Sequence, residues 1–217
     1  MSRRRPLIAL LAIVLLGGLC ARAAVLGSEG ATAFDANLAF DAATPASPQA
    51  LAFLRDGLSQ ASREVPGDPA PHELLGLLEL RTNGASAAGD EFERALARRP
   101  VAPITWADLA TQRYRAGNTD ATFRIALLNA ARLGPSEPGV QAIVANLGLA
   151  VWSELTADER GVVEGRVAAG MRRDSGQFLQ IAGRRGRLDV ACRHFPSPPR
   201  QADMKWIQTC QGMEATS

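Results

Sequence analysis

Lysine is nearly absent from this 217-residue chain: Lys205 stands alone beside 23 arginines. Tyrosine occurs once, as Tyr114, and histidine twice, as His72 and His194. The cysteines are Cys20, Cys192 and Cys210. So few imidazoles and thiols leave too little material for a structural zinc centre. They also confine any nucleophile–histidine arrangement to two positions. Aromatic residues make up 5% and β-branched residues are sparse, which disfavours a sheet. No sign of charge dominates, with 24 basic against 22 acidic side chains, and that excludes a general nucleic-acid-binding protein. A charged fraction of 21% with 47% hydrophobic residues excludes a wholly disordered chain. What the chain does have is alanine, 39 residues of it, with abundant leucine and arginine, and this mixture favours helix.

The amino end reads as an address. Arg3, Arg4 and Arg5 precede an unbroken run of apolar and glycine residues from Leu7 to Leu19, the pattern of a secretory signal or an amino-terminal anchor. Ala21, Arg22 and Ala23 offer a cleavage site before Ala24. Residues 6–26 are equally long enough to span a bilayer of ~30 Å if Arg22 snorkels to the interface. A lipid on Cys20 fits less well, because Leu19 stands where the bacterial lipoprotein pattern has a small residue. The positive-inside bias leaves residues from about 27 onward outside the cytoplasm. A buried first helix in a cytosolic protein is the bland alternative. Residues 27–46, rich in Ala, Gly, Ser, Thr and Pro, read as a linker with little periodicity beyond Phe34 to Phe40.

Three stretches then align. Leu54-x3-Leu58-x2-Ala61-x4-Pro66 is followed by Ala88-x3-Phe92-x2-Ala95-x4-Pro100 and by Phe123-x3-Leu127-x2-Ala130-x4-Pro135. Each puts apolar or small residues on one helical face and ends at a proline. Between them lie His72-x2-Leu75-Gly76 and Trp106-x2-Leu109-Ala110, with Tyr114 further on. Ser47-Pro48, Asp68-Pro69 and Thr156-Ala-Asp-Glu159 supply helix starts.

This pattern resembles tetratricopeptide repeats, whose first helix has large-x2-Leu-Gly/Ala-x2-Tyr and whose second has Ala-x3-Phe-x2-Ala-x4-Pro. The Ala88 stretch matches the second helix at all four positions. The Trp106 repeat carries one extra residue before Pro135, and Glu79 stands where the family has an aromatic. The resemblance covers about residues 49–153. It implies an all-α solenoid of about three helix-turn-helix repeats over 47–155, after the amino-terminal signal or anchor helix. Residues 156–217 are expected to form a helical cap with a cysteine-containing tail. The family's concave surface maps onto Glu73, Leu77 and Arg81, onto Thr111, Tyr114 and Arg115, and onto Asn146. These are the candidate groove residues for a protein partner, with Arg81 and Arg115 placed to hold a carboxylate. Both arginines also sit where helix-end carbonyls attract a cation.

Past the repeats, helices are expected at 139–155, 157–173 and 175–183. Arg172, Arg173, Arg184, Arg185, Arg187, Arg193, Arg200 and Lys205 face only Asp174, Asp189 and Asp203 in the same stretch. Such an excess could take a glycan anion, a phosphate or a lipid head group, with Arg172, Arg173, Arg184, Arg185 and Arg187 as its candidate ligands. An ordinary solvated surface explains it too. Cys192 and Cys210 are the two thiols on the exported side, and a disulfide between them is the economical reading.

No phosphate-binding glycine loop, zinc-protease helix, hydrolase elbow or Cys-x-x-Cys pair is present. No cofactor is implied. The layout is similar to small membrane-anchored repeat proteins associated with bacterial surface polysaccharide or O-antigen assembly, on the strength of the amino anchor, Trp152-Ser-Glu-Leu155, Asp158-Glu-Arg160 and the paired cysteines. The expected role is a non-catalytic scaffold for envelope proteins at the periplasmic face of the inner membrane, without nucleic acid. A glycan- or lipid-binding accessory factor and an envelope enzyme are the alternatives.

Overall fold

The computed structural model describes residues 47–82, 85–195, 204 and 206–214. The amino-terminal address, the linker, Arg200 and Lys205 lie outside them. Among the described residues the chain is all-helical, without strands. Helices α1 (Pro48–Glu64), α2 (Ala70–Thr82), α3 (Ala85–Arg98), α4 (Pro103–Arg115), α5 (Ala121–Leu133) and α6 (Pro138–Ala150) follow one another. A 3-10 turn (Trp152–Glu154), α7 (Ala157–Arg184), α8 (Leu188–Cys192) and α9 (Ile207–Glu214) complete them. No helix of the described residues is long and apolar enough to cross a membrane.

Local chemistry sets the helix starts. The Ser47 and Asp120 side chains accept hydrogen bonds from the Ala50 and Phe123 amides, satisfying donors that a helix start leaves unpaired. Asp68 does the same for Ala70. Thr156 and Glu159 form a reciprocal capping box. The helix expected at 139–155 stops earlier, at Ala150. Arg160 holds the 3-10 turn that follows, donating to the Trp152 and Ser153 carbonyls.

Consecutive helices pack side by side, and alternate ones also meet: α2 touches α4, α4 touches α6, and α5 touches α7. The aligned positions point inward. Leu54, Leu58 and Ala61 on α1, Ala88, Phe92 and Ala95 on α3, and Phe123, Leu127 and Ala130 on α5 are all at most 5% exposed. Gly76 shows why one position must be small, since a Cβ there would lie 2.6–2.9 Å from the Phe92 ring. Trp106, the large residue that opens its set, is only half-buried, with its indole donating to the Pro100 carbonyl.

At the place where an aromatic was expected, Glu79 is buried and its carboxylate accepts from Arg55 at 2.7 Å. One helix pair on, Arg113 occupies the corresponding place and meets Glu93 at 2.9 Å. Both pairs tie a helix to the one before it, with the charges exchanged.

The chain reverses inside α7. Asp174 leaves the helical region at φ −141°, ψ 77°, and its carboxylate caps the Gln177 amide of the second arm. Residues eight apart in an unbroken helix sit ~12 Å apart along the axis. Gly170 nevertheless lies against Phe178, so the second arm folds back over the first. In that arm Phe178-x2-Ile181-Ala182 repeats the spacing of His72-x2-Leu75-Gly76 and Trp106-x2-Leu109-Ala110. Gln141-x2-Val144-Ala145 on α6 shares it, and all four sets bury their last two members. The pattern therefore resurfaces within the stretch expected to be a cap. Phe178, Leu179, Ile181 and Ala182 join Ala145 and Leu149 of α6 in one apolar cluster, which Cys192 and Cys210 complete. Those two cysteines form a disulfide.

Candidate functional site

Helices α2, α4 and α6 form one layer, and their outer face is the candidate site. On α4, one side of the helix (Trp106, Leu109, Ala110, Arg113) turns toward α3 and α5. The opposite stripe is Ile104, Asp108, Thr111 and Arg115, spaced three or four apart. Beside it run Glu73, Leu77 and Arg81 on α2, and Ile143 and Asn146 on α6. Direct bonds lock the layer together. Thr105 on α4 donates to Glu73 on α2 at 2.6 Å, and Arg99 donates to both oxygens of the same carboxylate.

The predicted groove residues divide on this face. Glu73 is satisfied by Arg99 and Thr105 and serves as an internal tie. Leu77 is half-buried against the main cluster. Thr111 returns its hydroxyl to the Ala107 carbonyl. Arg81 and Arg115 are exposed at the carboxyl ends of their helices.

Tyr114 and Asn146 are brought together by a residue assigned to the other candidate site. Arg185, at the end of the second arm of α7, donates from Nε to the Asn146 amide oxygen at 2.9 Å. It also donates from Nη1 to the Tyr114 hydroxyl at 3.3 Å, with its guanidinium 5.5 Å from the ring centre. Here the hydrogen bonds and the cation–π contact act on one delocalised cation.

The other arginines of the predicted anion cluster do not converge. Arg173 bonds the buried Gln141, and Arg172 and Arg184 lie exposed. Arg187 is half-buried. Nearby, Arg193 grips Glu164 with two bonds and His194 adds a third. Those bonds hold the Glu164 carboxyl below the usual range against the opposing effect of its partial burial. Among the described residues no group of three or more His, Cys, Asp or Glu side chains is placed to hold a metal ion.

Asp108 escaped the sequence reading. It is half-buried in the middle of the α4 stripe, and no hydrogen bond reaches its carboxyl from the described residues. Burial, with a smaller push from Glu73, raises its pKa to about 7. The only signal in the sequence was an acid at the (i, i+3, i+7) spacing of Thr111 and Arg115. Burying an ionised carboxylate opposes folding, and the native chain holds more protons than the unfolded one between about pH 4 and 7. Stability therefore falls as pH rises through that window and levels off above it. An Asp108→Asn variant should gain on the wild type between pH 5 and pH 8, by roughly 2–4 kcal/mol. Urea melts of both proteins at the two pH values check this; parallel curves would refute it.

Elsewhere, a cleft of about 250 Å³ opens between α1, α2 and α3. Arg55, Glu79, Asp90, Glu91 and Arg94 line it, and its arginines are paired with its own Glu79 and Glu91. Behind Glu91 stands the buried His72, at 2.7 Å.

No protein-family model matches the chain, and neither a curated protein nor a solved structure shows significant similarity to it.

Proposed function

We propose that this chain is a tetratricopeptide-like helical-repeat scaffold that binds a protein partner on the outer face of α2, α4 and α6 without catalysing a reaction. The observation that carries the reading is the shared face itself. Three first helices are held edge to edge by Thr105–Glu73 and by Arg185 across Tyr114 and Asn146, and two of them carry the exposed Arg81 and Arg115 and the half-buried Leu77 and Thr111. Stacked helix pairs with a continuous first-helix layer favour extended peptide or helix partners. The basic amino end and the disulfide support placement outside the cytoplasm, at the periplasmic face of the inner membrane, through an anchor or after cleavage. A role beside enzymes of surface polysaccharide assembly or export rests on the resemblance of layout. The internal bonding of Arg173 and Arg185 favours this face over the arginine cluster as the binding surface.

A photo-crosslinking residue at Leu77 or Thr111 in the full chain, in cells, should yield one discrete protein adduct. Arg81→Ala with Arg115→Ala should weaken it several-fold, and the same probe at Asp90 on α3 should give none. Adducts of equal yield from position 90, or none from 77 and 111, would sink the scaffold reading.

A further inference from the structure

Each later second helix lies between two first helices: α3 packs against α2 and α4, and α5 against α4 and α6. Helix α1 has only the later of its two, α2, and among the described residues no helix precedes it. Its α2 side is filled by Leu54 and Leu58, which join Leu74, Leu75 and Leu78 in a cluster of their own. Arg55 and Ser59 line one flank, at the cleft shared with α2 and α3. The other flank carries Ala50, Phe53 and Gly57, spaced three and four apart, and Phe53 is 72% exposed.

The aligned positions on α3 show what belongs beside it. Gly57 corresponds to Glu91 and Val65 to Arg99, each 34 residues on. Both of these reach α2, the first helix of their own pair: Glu91 meets His72 at 2.7 Å, and Arg99 donates to both oxygens of Glu73. On α5 the counterpart of Gly57 is Ala126, which is fully buried. A first helix paired with α1 would cover the same positions, and the chain carries its signature. In the four first-helix sets, a buried Gly76, Ala110, Ala145 or Ala182 follows an aliphatic residue, and successive ones lie 34, 35 and 37 residues apart. Leu38-Ala39 puts the same pair 37 residues before Gly76, and Leu38 is the one leucine between Gly27 and Ala46. Phe34 stands one turn before Leu38 on the same helical face. Pro45 then ends the pattern and leaves a link of three residues to α1, against two between α2 and α3 and five between α4 and α5. A link that short makes antiparallel neighbours of the helices it joins.

We propose that residues 31–44 form the first helix of the leading pair and dock on the Ala50–Phe53–Gly57 flank of α1, with Ala39 set against Leu58 as Gly76 is set against Phe92. The stretch 27–46, expected as a linker, then belongs mostly to the repeat layer. Only residues 27–30 separate that helix from the apolar run before it, and so few residues of extended chain reach at most ~18 Å. In an anchored chain this holds the leading end of the solenoid against the membrane surface. The inference is independent of partner binding on the face of α2, α4 and α6.

The test is amide hydrogen exchange read by mass spectrometry on the full chain in detergent micelles. Amides of residues 33–43 should exchange at least about tenfold more slowly than their unprotected rate. Gly57→Arg, which fills the flank, should return them to that rate while peptides from α3 to α6 stay protected, showing that the repeats remain folded. Leu38→Asp, a change outside α1, should do the same from the other side of the contact. Ile125→Asp, at a 56% exposed position of α5, should leave the protection of residues 33–43 unchanged. Exchange of residues 33–43 at the unprotected rate in the wild type, or protection that survives either Gly57→Arg or Leu38→Asp, would overturn the docking. So would protection that appears only as protein concentration is raised, because the flank would then be pairing two copies of the chain.

Discussion

Gly170→Ala should destabilise the protein by about 3 kcal/mol, whereas Gly165→Ala on the same helix should stabilise it by about 0.5–1 kcal/mol. Alanine ordinarily improves a helix interior because it restricts the unfolded chain more than glycine does. That gain is available at Gly165, where nothing approaches within 4 Å of a new Cβ. At Gly170 the added carbon would lie 2.0–2.3 Å from the Phe178 ring, which is 1% exposed and has no room to withdraw. Either the ring is expelled or the fold-back at Asp174 opens. Thermal melts of the two single variants should therefore shift in opposite directions. A Gly170→Ala, Phe178→Ala double variant should cost less than the sum of its parts, since the first substitution no longer clashes once the ring is gone. Additive losses, or two shifts of the same sign, would mean that the second arm of α7 does not pack as described.

Opening the Cys192–Cys210 bond carries the other large cost. The bridge joins residues 18 apart, closing a loop whose restriction of the unfolded chain amounts to about 3 kcal/mol on the loop-entropy account. Both cysteines are buried in the cluster that also holds Phe178 and Val190, with Trp206 and Phe195 packed on its edge. Cys210→Ser should lower the melting temperature by several degrees and raise the solvent quenching of Trp206 fluorescence. Wild-type protein in reductant should show the same change, and Cys20→Ser should show none. A Cys210→Ser protein that melts with the wild type and keeps Trp206 shielded would show that α9 is held by packing alone.

Much of the architecture was legible because it is local. The period of Leu54, Leu58 and Ala61 and its two successors marks one helical face, and all nine of those positions are buried. Ser47, Asp68 and Thr156 advertise helix starts through side chains that reach amides only two or three residues away. The break between Arg173 and Ser175 was expected from the pattern and falls at Asp174. What the pattern did not disclose is that the chain turns back there, because the signal is the ring of Phe178 meeting the bare backbone of Gly170. That fold-back also hid the fourth occurrence of the first-helix spacing, at Phe178, Ile181 and Ala182.

The candidate site was legible only as a set of helix positions. Glu73, Tyr114 and Asn146 were picked for an open groove, but two of them hold Arg185 and the third holds Arg99. An arginine 71 residues from Tyr114 in sequence reaches its hydroxyl only after α7 reverses. Asp108 was passed over because an acid on a helix looks the same in sequence whether water or a neighbouring helix faces it.

Taken by itself, the sequence determined that the described chain is helical, where several of its helices begin, which positions of the three aligned stretches they bury, and which two thiols pair. These follow from hydrophobic period, capping and cysteine count, all of which act within a few residues or by elimination. Tertiary structure alone decided that Arg185 reaches Tyr114 on α4 and Asn146 on α6, and that Asp108 is left half-buried without a hydrogen-bond donor among the described residues. The reason is electrostatic: the state of a charged side chain depends on the solvent and counter-charges that other helices remove or bring, and those arrive from distant parts of the chain only when it has folded.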